Sequence, residues 1–548
     1  MKWVAAILTL VAVSVTCAIA LGVAWTGLSQ RAAAISLFLG AAAGLVAWLT
    51  TSDREAPRPS AWDIALLTVF ALASLRSFLW LLYPVADEWR VLSPNNLGDM
   101  SLHLHFIRYL ASGAPFWPES PILAGTPMVY PLGTDLFNSL LLLVNVPVER
   151  GLIWTGLVGA SLAGWALWRW GGAFGLAAFL FNGGLAGFAF FQTGAFHDYQ
   201  AELAWKNFFL SMFVTQRGLL YALPAGLLLL QVWRDESSRH GGVPRWLQLF
   251  LYATMPVFSI HTFIFLSLVL AVLFLGRPAE RPQIWRFVGL AFLPASILVF
   301  LVTGGFSAGS VVRFLPGWMQ GTEGWTFWVI NFGISLPLLL VMAWRVRSDR
   351  EALCFVAAGL VCFALAFFFS FAPWEWDNVK LLVWAWLICV PFLWHYVVRP
   401  LPFLARSGLC VALFLSGAVC LVGGLDNRHG YRLANRSTIA ATAAAIREIP
   451  LQDRIAVKPD FNHPVILLGR PVYCGYEGHL WSHGLVYRGK FDALQSVIAR
   501  QPGWQETAKG LDADWLFLED SPPFVLRLRD REPRPSSDKP SPPDLGFQ

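Results

Sequence analysis

The chain has 548 residues, of which 14% are charged and 56% come from the set Ala, Val, Ile, Leu, Met, Phe, Trp, Tyr and Cys; its mean hydropathy is +0.56. Soluble domains carry roughly 25% charged residues, so the composition excludes an ordinary soluble enzyme and points to a chain that lies mostly in a bilayer. The net charge of +6 is spread as single basic residues between apolar runs. With no basic stripe or base-stacking module, nucleic-acid binding is excluded. Six of the seven cysteines (Cys17, Cys354, Cys362, Cys389, Cys410, Cys420) sit in apolar runs, and only Cys474 lies in the polar tail, with no Cys-x-x-Cys spacing. Cysteine chemistry and an intradomain disulfide in the tail are therefore not expected.

Apolar runs long enough to span lie at 3–25, 33–50, 62–84, 151–168, 172–191, 217–233, 284–303, 326–344, 352–370, 381–398 and 403–423. They predict an all-α polytopic membrane bundle of about 11–13 transmembrane helices. The first run reads as a retained anchor, because it is long for a signal-peptide core and no small-x-small cleavage site follows. Pro256 and His261 interrupt 246–275, which predicts two short helices meeting at a bend, and 135–146 is too short to span and reads as re-entrant or interfacial. The 27 tryptophans suit a membrane–water interface.

Orientation follows from the short loops. Arg54, Arg58, Arg169, Arg234, Arg239, Arg245, Arg277, Arg281, Arg286, Arg345, Arg347, Arg350, Arg399 and Arg406 fall on one face, which the positive-inside rule makes cytoplasmic. The opposite, periplasmic face receives 85–134, 193–216, 304–325, 371–380 and everything after about 425. Four domains are expected: an N-terminal hairpin (1–60), a transmembrane core (61–425) with the large loop 85–134, a small periplasmic α/β domain (426–530) and a disordered Pro/Ser-rich tail (531–548). The helix-like stretch 438–448 and the strand-like 454–457 and 515–518 carry the α/β reading. The setting expected is a bacterial inner membrane, with the N-terminus cytoplasmic.

In the first outer loop, Asp99 and His103 are four residues apart and share a face if 99–110 is helical. Such a pair can relay a proton or hold a metal; an N-cap aspartate with interfacial histidines, His105 among them, is the plainer alternative. Arg108 lies on a different part of that helix. The segment YPLGTDLFN follows, where Tyr130 and Pro131 set an extended turn and Asp135 reads as a cap of the next short helix.

This arrangement resembles the first periplasmic loop of the GT-C superfamily of integral membrane glycosyltransferases, of the polyprenyl-phosphate-sugar-dependent type related to protein mannosyltransferases and aminoarabinose transferases. The resemblance covers roughly 62–400. It implies an acidic residue in this loop that serves as catalytic base or helps bind a metal. Asp99 best matches that position, and Asp87-Glu88 is the competing match. A divalent cation, Mg or Mn, is the cofactor the resemblance allows.

His105, Arg108 and Tyr130 of this loop are candidates for substrate binding, and other outer segments hold more. His197, Asp198, Lys206, Gln216 and Arg217 fall together, and Arg217 opens a helix where a guanidinium can grip a phosphate or simply snorkel. His261 is an intramembrane histidine. Trp374, Glu375, Asp377, Asn378 and Lys380 mix aromatics with carboxylates and an amide, a combination suited to sugars, and Lys380 lies where it can meet a lipid phosphate. The tail segment 463–489 is dense in His and Tyr and reads as a loop packed over the membrane site. His479 and His483 lack an obvious completing zinc ligand.

The function expected is transfer of a sugar from a polyprenyl-phosphate donor to a lipid, glycan or protein acceptor, with Asp99 and His103 catalytic and inversion implied by the resemblance. A transporter or flippase of lipid-linked saccharides is the alternative; it usually shows internal repeats, and none is found. A non-catalytic scaffold with an aromatic outer face is the third reading.

Overall fold

A computed structural model describes residues 1–53, 58–93, 96–200, 203, 205, 207–235, 242–305, 312–317, 324–426, 430–520 and 523–529. Lys206, Arg54, Arg239 and the tail 531–548 lie outside the described residues.

The chain begins with a helical hairpin, α1 (Lys2–Ala24) and α2 (Gln30–Thr50). Ser29 caps α2 by accepting from the Ala32 amide at 3.2 Å. Gly40 and Gly44 let the two backbones touch, since a Cβ at Gly40 would strike Ser14 Oγ and the Leu10 carbonyl. Helix α3 (Ala61–Leu79) opens with a capping box, Ser60 and Asp63 satisfying each other's amides. A hairpin of β1 (Tyr83–Val85) and β2 (Glu88–Val91) then leads to α4 (Asn96–Ala111) and α5 (Gly133–Leu143). Eight described helices are long and apolar enough to cross a membrane, or nine if a bent pair counts as one span, and two shorter apolar helices join them.

Several spans break where the sequence supplies a backbone reason. Helix α6 (Val148–Leu180) kinks at Gly172, whose φ of 60° no L-residue adopts readily. The separate span expected over 172–191 is instead a short arm ending at Leu180, followed by irregular chain and a single turn, α7 (Phe190–Thr193). Helices α8 (Leu219–Asp235), α9 (Arg245–Phe258) and α10 (Ile260–Gly276) follow. The bend expected inside 246–275 falls at Ser259, which is extended and caps α10 through the Thr262 amide. After α11 (Arg281–Val302) and the short strand β3 (Arg313–Phe314), the run 326–344 is two helices, α12 (Trp325–Phe332) and α13 (Ser335–Val346), bent by 78° at Gly333.

Helix α14 (Arg350–Phe368), strand β4 (Phe369–Ser370), α15 (Val379–Leu393) and α16 (Phe403–Leu425) complete the bundle. Helix α15 is its axis, with nearly every residue buried. Three tryptophans serve this core rather than the interface. Trp384 Nε1 donates to Thr262 Oγ1 at 2.9 Å, Trp170 Nε1 to the Leu387 carbonyl at 2.7 Å, and Trp386 Nε1 to the Ala178 carbonyl at 3.1 Å. An indole N–H with no water at hand must find a protein acceptor.

Helix α16 crosses the irregular chain after α6 at backbone contact. Gly187 N donates to Ser416 Oγ at 2.8 Å, and a Cβ on Gly417 would collide with the Phe181 carbonyl. Gly417→Val therefore forces backbone apart. A loss at the upper end of the ~1–3 kcal/mol typical of overpacking is expected, measurable as a lower melting temperature in detergent.

The polar region after α16 holds β5 (Tyr431–Asn435), α17 (Arg436–Ala445), β6 (Ile455–Ala456), α18 (Pro464–Leu467), α19 (Glu477–Ser482), α20 (Arg488–Ile498), α21 (Trp504–Gly510), β7 (Trp515–Leu518) and β8 (Phe524–Arg527). Strand β7 pairs in parallel with β6 and antiparallel with β8. Strand β5 instead joins the loop hairpin, pairing antiparallel with β2 so that Trp89 faces Ala434 and Val91 faces Tyr431.

Candidate active site

Helix α4 lies at one end of the bundle, packed against α5 and α18. Asp99, in its first turn, is half-buried and keeps solvent contact. Its hydrogen bond comes from Gln216 Nε2, at 3.2 Å to Oδ2. Burial pushes its carboxyl above the usual aspartate range; His103 and Lys380 pull the other way, and Asp377 adds to the rise. Those neighbours come from three separate outer segments. The structure thus brings Asp99, His103, Gln216, Asp377 and Lys380 together.

His103 does not pair with Asp99. Its Nδ1 sits 2.9 Å from both carboxylate oxygens of Asp135, and both side chains are buried. Asp135 stands in the first turn of α5, and there it orients an imidazole. Tyr130 packs beside the pair, 6.3 Å from the His103 ring and 5.2 Å from that of Phe106. Burial and the charges of Asp135, Asp99 and Asp377 raise its phenol well above 10, so it stays a hydrogen-bond donor.

Lys380 opens α15 and holds Asp377 Oδ1 at 2.9 Å. His261, in the first turn of α10, has these two as its charged neighbours, and its Nε2 is buried without a hydrogen-bond partner among the described residues. Arg217 is also fully buried, and none of its three guanidinium nitrogens has a partner among the described residues; Asp135 is its opposing charge.

The polar tail closes over this region. The His483 ring lies 5.2 Å from Tyr130 and Trp481 lies 6.0 Å from Trp374, which stacks on Trp376 at 5.0 Å. His479 bonds the Gly98 backbone and sits near His105, His103 and His483; burial lowers it to about 3 and His483 to about 4. From its aromatic density this segment is expected to pack over the site, but the sequence could not choose His483 as the residue that meets Tyr130.

Other candidates are engaged elsewhere. His105 Nε2 is 2.8 Å from the Arg470 carbonyl. Arg108 donates to the Leu467 carbonyl and faces Glu149 at 3.8 Å, and Gly469, at a φ of 77°, lets the tail backbone close on it. Both residues fasten α4 to the tail. Asn378 is consumed by the Phe371 amide and the Ala366 and Phe369 carbonyls. Glu375 pairs with Arg313 at 2.6 Å. His197 is exposed, and Asp198 accepts from the Gln200 amide at 3.2 Å, both beside Gly423 of α16. No described contact joins them to Asp99. Asp87 accepts from Ser437, which lowers its carboxyl, and Glu88 pairs with Arg90 at 2.7 Å.

A divalent cation does not fit these residues. Among the described residues no three His, Cys, Asp or Glu side chains are gathered to hold one. Of the groups beside Asp99, the imidazole is turned to Asp135 and the second carboxylate, Asp377, is held by the Lys380 ammonium at 2.9 Å, so the described arrangement offers a hard cation no ready oxygen cage.

No family model matches the sequence, and no curated protein does. Among solved structures, the chain is similar to the oligosaccharyltransferase of Archaeoglobus fulgidus. The crystal structure tethered with an acceptor peptide containing the NVT sequon superposes with a TM-score of 0.49 at 12% identity, covering 83% of this chain and 69% of that one. The apo form gives a TM-score of 0.42 at the same identity and coverage. At this distance the likeness assigns no activity.

Proposed function

We propose that the chain is a GT-C-type membrane glycosyltransferase that transfers a sugar from a polyprenyl-phosphate donor to an acceptor hydroxyl on the periplasmic side. The observation that carries this reading is Asp99 itself. It is a solvent-touching carboxylate of raised proton affinity, with Tyr130 and Lys380, which opens a membrane helix, as neighbours, and the Trp374–Trp481 contact lies on the segments that supply Asp377 and His483. A carboxylate base of raised proton affinity, a cation for a leaving phosphate and aromatic faces for a pyranose suit such a transfer.

The acceptor oxygen attacks the anomeric carbon and its proton passes to Asp99. The bond from that carbon to the phosphate oxygen breaks, and the electron pair leaves with the polyprenyl phosphate. Lys380 exchanges Asp377 for the phosphate oxygens, and Arg217, buried without a hydrogen-bond partner among the described residues, supplies a second cation along the donor path. A buried guanidinium without a hydrogen-bond partner is costly, and an incoming phosphate offsets that cost. The His103–Asp135 pair is a positioning element that holds α4 on α5. Attack opposite the leaving group gives inversion.

Lys380→Gln is expected to lower transfer ~100-fold, the scale of one lost oxyanion donor, with transfer by the wild type unaffected by a chelator. The assay is transfer from labelled polyprenyl-phosphate sugars by protein in lipid nanodiscs. Translocation of the lipid-linked sugar in liposomes, with no transfer from any donor, would replace this reading with the flippase.

A further inference from the structure

At the other end of the bundle from Asp99, a cavity of about 430 Å³ opens between α8, α9, α10 and α11. Arg217 and Trp233 bracket α8 at its two ends, roughly 24 Å apart at 1.5 Å per residue, so the cavity lies near the opposite membrane face. Its wall holds three arginines (Arg245, Arg277 and Arg286) against a single carboxylate, Glu280. Glu280 already pairs with Arg277 at 3.2 Å. Arg245 is set by Gln283 at 2.9 Å, and Arg277 by the Trp233 carbonyl at 3.0 Å. Arg286 is exposed. Arg277 also meets Glu351 at 3.4 Å, so the positive charge that the described lining holds beyond its carboxylates is carried chiefly by the exposed Arg286.

An apolar track leaves this cavity. Leu290 lines it, and Leu293, Ile297 and Phe300 continue from Leu290 along one face of α11 at exposures of 68%, 67%, 52% and 50%. The i, i+3, i+7, i+10 spacing makes a single stripe running roughly 15 Å, half the ~30 Å hydrocarbon core. A basic pocket at the end of an exposed apolar stripe is complementary to one amphiphile, an anionic phosphate on an acyl chain.

We propose that this cavity binds the headgroup of an anionic glycerophospholipid, with an acyl chain along the Leu290–Phe300 stripe. The site is independent of the glycosyltransferase reading. The bound phosphate diester bridges Arg245 on α9 and Arg286 on α11, clamping two helices that otherwise meet through side chains.

The test is native mass spectrometry and thermal unfolding of the purified full chain in detergent, titrated with phosphatidylglycerol, phosphatidylcholine or glycerol phosphate. Phosphatidylglycerol should bind and raise the melting temperature. Phosphatidylcholine, with no net charge, and glycerol phosphate, with no chain, should not. Arg245→Gln with Arg286→Gln should weaken phosphatidylglycerol binding about 30-fold, which corresponds to roughly 1 kcal/mol per arginine at a lipid surface. Arg286→Lys should keep most of the binding. Equal binding of both lipids, or unchanged affinity in the double variant, would overturn the proposal. Binding of glycerol phosphate as tight as the lipid would make it a soluble phosphate site instead. Asp99→Asn should leave all of these results unchanged, so failure here and failure of the transferase reading are told apart.

Discussion

Asp99→Asn is expected to lower sugar transfer by ~10²–10⁴-fold, the range a positioned general base contributes, with little change in melting temperature. The amide keeps the shape and can still meet Gln216, but it cannot take the acceptor proton. Because burial raises the Asp99 carboxyl, the acid limb of the rate profile should lie above the ~3.9 of an ordinary aspartate. The base is competent when ionised, so rate falls as pH drops through the raised value. Asp99→Glu should recover part of the rate with a displaced limb. A chain that transfers at full rate as Asp99→Asn has its base elsewhere. Asp87 is a poor substitute, because Ser437 holds it ionised and occupied.

Acid should also loosen the polar tail from the bundle. His105 and His483 are lowered to about 4 and His479 to about 3, chiefly by burial between α4 and the tail. The unfolded or undocked chain binds protons at its ordinary ~6.5 while the docked chain does not. The stability they contribute is complete above about pH 6.5 and drains away as pH falls towards 4. A tenfold change in proton affinity between the docked and free chain is worth about 1.4 kcal/mol, so each fully buried ring accounts for roughly 3 kcal/mol. His483, which keeps some solvent contact, accounts for less. Hydrogen exchange of 463–487 at pH 7.5 and pH 5 measures this. Equal protection at both values would show that the rings have no stake in docking.

Composition and hydropathy made the helical bundle legible because lipid demands long apolar helices with all backbone groups paired internally. They could not place its breaks. The kink at Gly172 and the bend at Gly333 depend on positive φ values, and apolar runs look the same on both sides of them. In the site, Asp99 and Lys380 were readable as polar residues stranded at one face. The His103–Asp135 pair was not, since it spans 32 residues and exists only because α4 packs on α5. Arg108 and Arg217 show the limit well. Both are arginines on apolar segments, yet Arg108 is spent on the Leu467 carbonyl while Arg217 has no hydrogen bond among the described residues. Sequence spacing carries no information on which carbonyl lies opposite. Asn378 likewise looked free for a sugar hydroxyl until its three backbone partners were visible.

The pairing of β2 with β5 joins residue 88 to residue 435, and Asp87 receives the start of α17. The wall around Asp99 is therefore built from both ends of the polypeptide's order of synthesis. When α4 has already left the ribosome, Trp374, Lys380 and His483 do not yet exist. Every later span must be threaded before the strand that seats the tail can arrive. The surroundings of Asp99 are complete only once synthesis has passed residue 483, so under the proposed function a half-made chain lacks the lysine that would meet a donor phosphate, and completion of the chain would be its own licence to act.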